Sequence, residues 1–238
     1  MRYNVILMAG KGQRFLDAGF VIPKPLLPIK DKMMFERSIE NFPICDEWIF
    51  VVNETINKHQ KFQNFLDNFP EKFQVLTLSN HTNGQATSCY EAIKNLDDNS
   101  SIFVGSCDTI FEKKLIIEEL QNHNLIVYTS RPTRNQLDNS SSYGWVYQSK
   151  NSFKVFCKEK INKSEEMNIV LGYFFFDTIS TFKQGYSHIN DHKLFVNNEL
   201  YIDVIARELA KKQYKLTQEI VNSHVVGTPA EYRYYLTI

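Results

Sequence analysis

The 238-residue chain has no surplus of charge: 27 lysines and arginines balance 27 aspartates and glutamates. Nothing in that balance draws the whole molecule to nucleic acid or to an anionic membrane, so an anion site has to be built locally and each clustered cation becomes informative. Cysteine is scarce. Cys45, Cys89, Cys107 and Cys157 stand in apolar segments with no C-x-x-C spacing, which argues against a zinc site and a disulfide framework and predicts core thiols. No apolar run approaches the roughly 18 residues of a membrane span. The opening MRYNVILMAG also lacks a small-residue cleavage site, so a cytoplasmic protein with no membrane or nucleic-acid partner is expected. Linkers, low-complexity tracts and internal repeats are missing as well, which predicts one domain over 1–238.

What is present is a regular alternation. YNVILM (3–8), EWIFVV (47–52), FQVLTL (73–78), SIFVGS (101–106) and NLIVYT (124–129) are short apolar runs rich in β-branched and aromatic residues, the pattern of buried strands. Between them, segments 32–41, 55–69 and 85–96 place apolar residues at close to helical spacing and predict helices. Such repetition predicts an α/β fold with a mostly parallel central sheet, helices on both faces, and ligand loops at the carboxyl ends of the strands. After residue 130 the pattern changes. The polar connection RPTRNQLDNSSSYGW leads into a hairpin of WVYQS and FKVFCK, a strand NIVLGYFFFD (168–177), a helix over 198–212, and a closing strand and short helix. The domain thus divides into an α/β half, 1–130, and a mixed-strand half, 131–238.

Chemistry concentrates where the first strand ends. ILMAGKGQRF (6–15) sets Gly10 and Gly12 ahead of Arg14. A dinucleotide fingerprint needs a third glycine where Phe15 stands, and a Walker loop needs Gly-Lys-Ser/Thr, so both patterns fail. Gly-x-Gly-x-Arg remains. The glycines let backbone amides close on a polyphosphate and Arg14 supplies a permanent forked donor, although a plain strand-to-helix turn with a solvated arginine has the same letters. Lys24 follows between Pro23 and Pro25, two fixed φ angles that are expected to hold the backbone extended and aim the lysine. Asp108, after the fourth strand, reads as a metal ligand or as a cap on the segment from Thr109. Lys160 lies in a charged run whose plainer meaning is a solvent face. Tyr173 and the neighbouring phenylalanines read as core, and the histidines show neither catalytic pairing nor metal spacing.

LMAGKGQRF followed by PKPLLPI resembles the signature of the sugar-phosphate nucleotidylyltransferases, G-x-G-x-R and then P-K-P-L. NGQATSCYEAI (83–93) is similar to that family's base-binding turn and helix, FVGSCDTIF (103–111) to its strand ending in a metal-binding aspartate, and CKEK (157–160) to its Glu-Lys pair at the acceptor phosphate. LGYFFFD resembles its Gly-Tyr strand, while NELYIDVIARELAKK and VVGTPAEYRYY resemble its late acidic helix and Gly-Thr-Pro turn. The resemblance implies a Rossmann-like fold of the nucleotide-diphospho-sugar transferase type, with a nucleotide-binding half (1–130) and an acceptor-binding half (131–238). It implies a Mg2+-dependent enzyme that moves a nucleotidyl group from a triphosphate to the phosphate of a sugar phosphate or other phosphorylated small molecule. Pyrophosphate leaves, and the product serves surface-polysaccharide synthesis.

The compact length is similar to that of the family's short cytidylyltransferases and simple hexose-phosphate enzymes, and CTP is the triphosphate favoured. By the same resemblance Arg14, Lys24 and Asp108 carry the chemistry and Asp108 holds the metal. The nucleotide meets Met8, Ala9, Gly10, Lys11, Gly12, Arg14, Lys24, Asn83, Gly84, Gln85 and Ser106, and the acceptor meets Gly144, Glu159, Lys160 and Gly172. Where many members carry a second metal-binding aspartate, this chain has Val225. His224, Asp203, Glu231 or water is then left as second ligand, although Thr228-Pro229-Ala230-Glu231 reads more simply as a capping box. The same valine keeps open a non-catalytic nucleotide- or sugar-binding homologue. The aromatic-rich second half leaves a homo-oligomer open.

Overall fold

In the computed structural model, which describes residues 1–117, 122–161, 166–212 and 214–238, the first half of the chain begins with β1 (Arg2–Leu7), α1 (Gln13–Asp17), a hairpin of β2 (Pro28–Ile29) and β3 (Lys32–Met33), and α2 (Met34–Ile39). It continues through β4 (Glu47–Asn53), α3 (Glu54–Asn57), α4 (Gln60–Asn68), β5 (Phe73–Leu78), α5 (Gln85–Ile93), β6 (Ser101–Ser106) and β7 (Thr109–Phe111). The second half runs β8 (Leu125–Ser130), α6 (Arg134–Asp138), β9 (Gly144–Ser149), β10 (Ser152–Cys157), β11 (Asn168–Phe176) and α7 (Ile179–Asp191). It closes with α8 (Ile202–Ala210), β12 (Leu216–Ile220), β13 (Ser223–Val225) and α9 (Pro229–Tyr235).

β5, β4, β1 and β6 lie side by side and parallel. Alternate residues of these runs face opposite layers: Val5, Val51 and Val104 pack with α5, α7 and α8, whereas Ile6, Phe50 and Phe103 pack with α2 to α4. Two covered faces are what near-continuous apolar strands require. β11 then enters antiparallel between β6 and β8, its Phe174–Phe176 pairing with β6 on one edge and with β8 on the other. β12 extends the sheet parallel to β8, and the β9–β10 hairpin joins the start of β11. Among the described residues the sheet holds nine strands, drawn from both sides of residue 130. The β11–β8 register slips between Val170 and Tyr173, where Gly172 takes φ 79°, a glycine conformation that lets the strand bulge.

Several elements depart from the sequence expectation. The helix over 55–69 breaks into α3 and α4, because His59 caps the second piece by accepting the Lys61 N–H at 3.2 Å. The helix over 198–212 starts only at Ile202. Before it, Val196 and Glu199 bridge across a two-residue turn with Asn197 and Asn198 at φ 49° and 63°, a left-handed pair that asparagine tolerates. The polar connection contains α6, started by a Thr133/Gln136 capping box. The 13-residue α7 has no counterpart among the predicted elements. Lys24 is not extended: Pro23 is (φ −52°, ψ 136°), but Lys24–Leu26 curls into a 3-10 turn held by the Leu26 N–H on the Pro23 carbonyl at 2.8 Å.

Cys89, Cys107 and Cys157 are buried and Cys45 half-buried, all four unpaired. Burial pushes the Cys45 and Cys107 thiols up to about 12, so they stay protonated. No described helix is long and apolar enough to cross a membrane.

Candidate active site

The carboxyl ends of β1, β5 and β6 open on a cleft of about 770 Å³, a size usual for small-molecule sites. Its first wall is the glycine loop. The chain leaves the sheet with two anchors, the Met8 N–H on the Val51 carbonyl (2.8 Å) and the Asn53 amide on the Ala9 carbonyl (3.4 Å). Gly10, Lys11 and Gly12 follow along the cleft. Gly12 is left-handed (φ 64°), and a Cβ there would lie 3.3 Å from Lys24 Cβ, so the bare backbone leaves space for the lysine stem. Phe15 is core, its ring 5.2 Å from Phe20 and 6.0 Å from Tyr232. That anchor leaves the adjacent Arg14 exposed at the cleft mouth.

The second wall pairs Lys24 with Asp108. The ammonium bonds one carboxylate oxygen, and Ser106 Oγ donates to the other at 2.7 Å. Burial works against both charges. Asp108 nevertheless holds the lysine above its ordinary range, while Lys24, with help from Ser106 and Lys158, holds the carboxyl below its own. The aspartate side chain is therefore engaged across the cleft floor rather than capping Thr109. The Gly-Thr-Pro turn packs on it: Val226 N–H meets the Asp108 carbonyl at 2.8 Å, and a Cβ on Gly227 would lie 2.9 Å from Asp108 Oδ2.

Of the alternatives for a second metal ligand, His224 bridges to Glu112 at 3.5 Å and lies off the cleft. Glu231 lines the cleft, but its carboxylate serves the α9 capping box with Thr228 and accepts the Tyr143 hydroxyl at 3.2 Å. Among the described residues no group of three His, Cys, Asp or Glu side chains could hold a metal ion. A magnesium ion does not need one, because it keeps waters and is commonly bound by one or two carboxylates plus substrate phosphates. Asp108, at a strand end and beside a lysine that a phosphate can take over, fits that mode.

The third wall is the turn Asn83–Gly84–Gln85 at the start of α5. Gly84 has φ 110°, and a Cβ there would stand 2.6 Å from the Leu200 carbonyl oxygen. The closeness is bonded: Leu200 N–H donates to Asn83 O at 2.6 Å, and Ala86 N–H donates to Leu200 O at 3.0 Å. The turn is thus laced to the 196–201 strap.

The fourth wall comes from the second half of the chain and includes Gly144 and Gly172. Within the CKEK run the cleft lysine is Lys158, which is turned inward by a left-handed backbone (φ 56°) directly after β10. Its ammonium donates to the Ser142 carbonyl and lies 5.7 Å from the Tyr201 ring centre. Glu159 and Lys160 are exposed and do not line the cleft, and Glu159 pairs with Arg207 at 3.3 Å. Asp203, in the first turn of α8, lies on this wall beside Gly144. Burial pushes its carboxyl up to about 6 against the pull of Lys158. Tyr143, Tyr201, Asn197, Asn198 and His81 also line the cleft, and none carries a sequence signal of its own.

A model of the MobA-like NTP transferase domain matches residues 4–143, more than half of the chain. No curated protein matches. Among solved structures, the nucleoside-diphosphate-sugar pyrophosphorylase from Vibrio cholerae RC9 is similar with a TM-score of 0.82 at 20% identity, covering 99% of this chain and 100% of that one. The inositol-1-phosphate CTP transferase from T. maritima gives 0.70 at 14% identity, covering 100% and 95%. HddC from Yersinia pseudotuberculosis gives 0.66 at 15% identity, covering 100% and 99%. At these identities the likeness is one of fold.

Proposed function

The chain belongs to the MobA-like NTP transferase family, and on that premise we propose that it transfers a cytidylyl group from CTP to the phosphate of a small phosphorylated acceptor, a sugar phosphate or a comparable molecule. One observation carries the reading: Arg14, Lys24 and Asp108, contributed by three separate stretches of chain, converge with the glycine loop on a single cleft at the strand ends. In the reaction an oxygen of the acceptor phosphate attacks the α-phosphorus of the triphosphate. The bond from that phosphorus to the bridging oxygen breaks, and pyrophosphate carries the electron pair away. The acceptor phosphate has a second pKa near 6 and is ionised at neutral pH, so no protein base is required and catalysis reduces to positioning and charge neutralisation.

Amides of the Gly10–Gly12 loop and the Arg14 guanidinium bind the outer phosphates in this reading. Lys24 leaves Asp108 for the α-phosphate, where negative charge builds. Asp108, backed by Ser106, would hold a divalent ion whose chemistry is to screen charge between phosphate oxygens. Gly84 lets the base lie close to backbone, with Gln85 beside it. Lys158 grips the acceptor phosphate, with Gly144 and Gly172 beside it on the same wall. The triphosphate requirement assigns the reaction to the cytoplasm, and the product is an activated conjugate of the kind that surface-polysaccharide transferases consume.

The deciding experiment is a matrix of the four triphosphates against phosphorylated acceptors with magnesium, read by pyrophosphate release. Release that needs both substrates and is fastest with CTP is the expected result. Val225 on the cleft wall favours a second reading, a nucleotide-binding homologue without activity. Tight triphosphate binding with no release for any pair would establish that reading in place of the first.

A further inference from the structure

We propose that Asp203 reads the acceptor: its carboxylate accepts a hydrogen bond from an O–H or N–H group on the body of the molecule whose phosphate lies at Lys158. The inference rests on the transfer reaction above and adds to it a chemical requirement on the acceptor. Asp203 is 6% exposed yet lines the cleft. The start of β9 is bare where the carboxylate passes, since a Cβ on Gly144 would fall 2.0 Å from Asp203 Oδ2. Any side chain at 144 would push the acid out of its place on the wall.

The protein does little to satisfy this acid. Among the described residues no side chain donates a hydrogen bond to it, and its charge is favoured only by the nearby Lys158 and, more weakly, by its own backbone N–H. Lys158 is near enough for its charge to be felt, but its ammonium is directed to the Ser142 carbonyl and over the Tyr201 ring. The other ionisable groups that feel Asp203 are Cys157 and Tyr201, both of which burial keeps protonated. A buried carboxylate short of donors is costly, and a ligand that brings a donor into the cleft relieves that cost. The cations Lys11, Arg14 and Lys24 belong to the walls that carry the glycine loop and Asp108, so in this reading Lys158 takes the acceptor's phosphate and Asp203, beside Gly144 on the same wall, takes its donor-bearing body. An aspartate in the first turn of α8 also favours the helix dipole, and a purely structural role of that kind would be indifferent to acceptor chemistry.

The test uses the full chain and four probes: glucose 1-phosphate and glycerol 3-phosphate, whose bodies carry hydroxyls, 2-aminoethyl phosphate, which carries an ammonium, and phosphocholine, whose body carries no donor. Affinities are measured by calorimetry with and without α,β-methylene-CTP and magnesium. The wild type is expected to bind at least one donor-bearing probe about tenfold or more tightly than phosphocholine, the step that one hydrogen bond to a charged group provides. Which donor-bearing probe wins identifies the donor as hydroxyl or amine. Asp203→Ala, which removes the acceptor oxygens altogether, is expected to erase the preference while leaving phosphocholine and triphosphate affinities unchanged. A preference that survives in Asp203→Ala overturns the inference. So does a wild type that binds no donor-bearing probe better than phosphocholine, a comparison that holds even if the variant fails to fold. Loss of triphosphate binding by the wild type would instead refute the transferase reading, which the acceptor comparison does not address.

Discussion

Lys24 and Asp108 lose most of their water in the same place, and each keeps its charge because the other is there. Removing either one strands its partner and, on the proposed reaction, takes a charge from the transferred phosphoryl group. Lys24→Ala and Asp108→Asn are therefore each expected to cut turnover by at least about a hundredfold. Steady-state rates near wild type, in variants whose circular dichroism is unchanged, would take both residues out of the chemistry. Asp203 behaves in the opposite sense. Its carboxyl titrates near 6 in the folded chain against an ordinary 3.8. Folding is thus strongest with the group protonated, and stability is lost as pH rises from the lower value through the higher. Asp203→Asn escapes that loss and is expected to be more stable than wild type at pH 8, by up to ~3 kcal/mol, with the gap closing toward about pH 4. Urea midpoints across that range check it, and a variant less stable at every pH contradicts it.

At this scale the sequence was legible where a residue pattern foretells which side chains meet: Gly10, Gly12, Arg14, Lys24 and Asp108 all line one cleft. It was not legible where two lysines two positions apart compete. The choice of Lys158 over Lys160 depends on one left-handed φ after β10, and no residue letter records that angle.

Among the elements, the turn before α5 and the strap before α8 behave as one piece, because Gly84 leaves no space between them. Gly84→Ala would need both a strained positive φ and a Cβ inside the Leu200 backbone. It is expected to cost about 2 kcal/mol or more and to weaken triphosphate binding with it. A denaturation curve and a triphosphate titration that match wild type would disprove the lacing. Strands were the readable elements: β5 and β6 begin and end where FQVLTL and SIFVGS do, although β5, at the edge of the sheet, is only half-buried where the sequence predicts a buried strand. Helices were less so. α7 mixes threonine, serine and glycine into its length, and its Gly185 makes sense only against Ile205 of α8, which would lie 2.4 Å from a Cβ there. The break between α3 and α4 turns on a histidine acting as a cap, a role for which serine or aspartate is the usual signal.

For the whole molecule, Lys24 already occupies the Asp108 carboxylate on which the proposed ion depends. Magnesium alone is expected to move Tm by no more than about 1 °C, and CTP with magnesium by several degrees, since only a ligand that binds the native state stabilises it. A large shift with magnesium alone would mean an ion site independent of phosphate. The broad plan of a parallel sheet with two covered faces could be read in advance, but the reversed strand could not. The NIVLGYFFFD run has the same apolar character whichever direction it takes, and only its pairing with β6 and β8 decides.

That reversed strand also bears on how such a protein can change. β11 crosses back between β6 and β8, so each half of the chain completes the other, and a cut at residue 130 would bare the edge of β6 to intermolecular pairing. Relatives cannot trade second halves like cartridges. New preferences must arise by small edits along the lining of the groove while the scaffold is inherited whole.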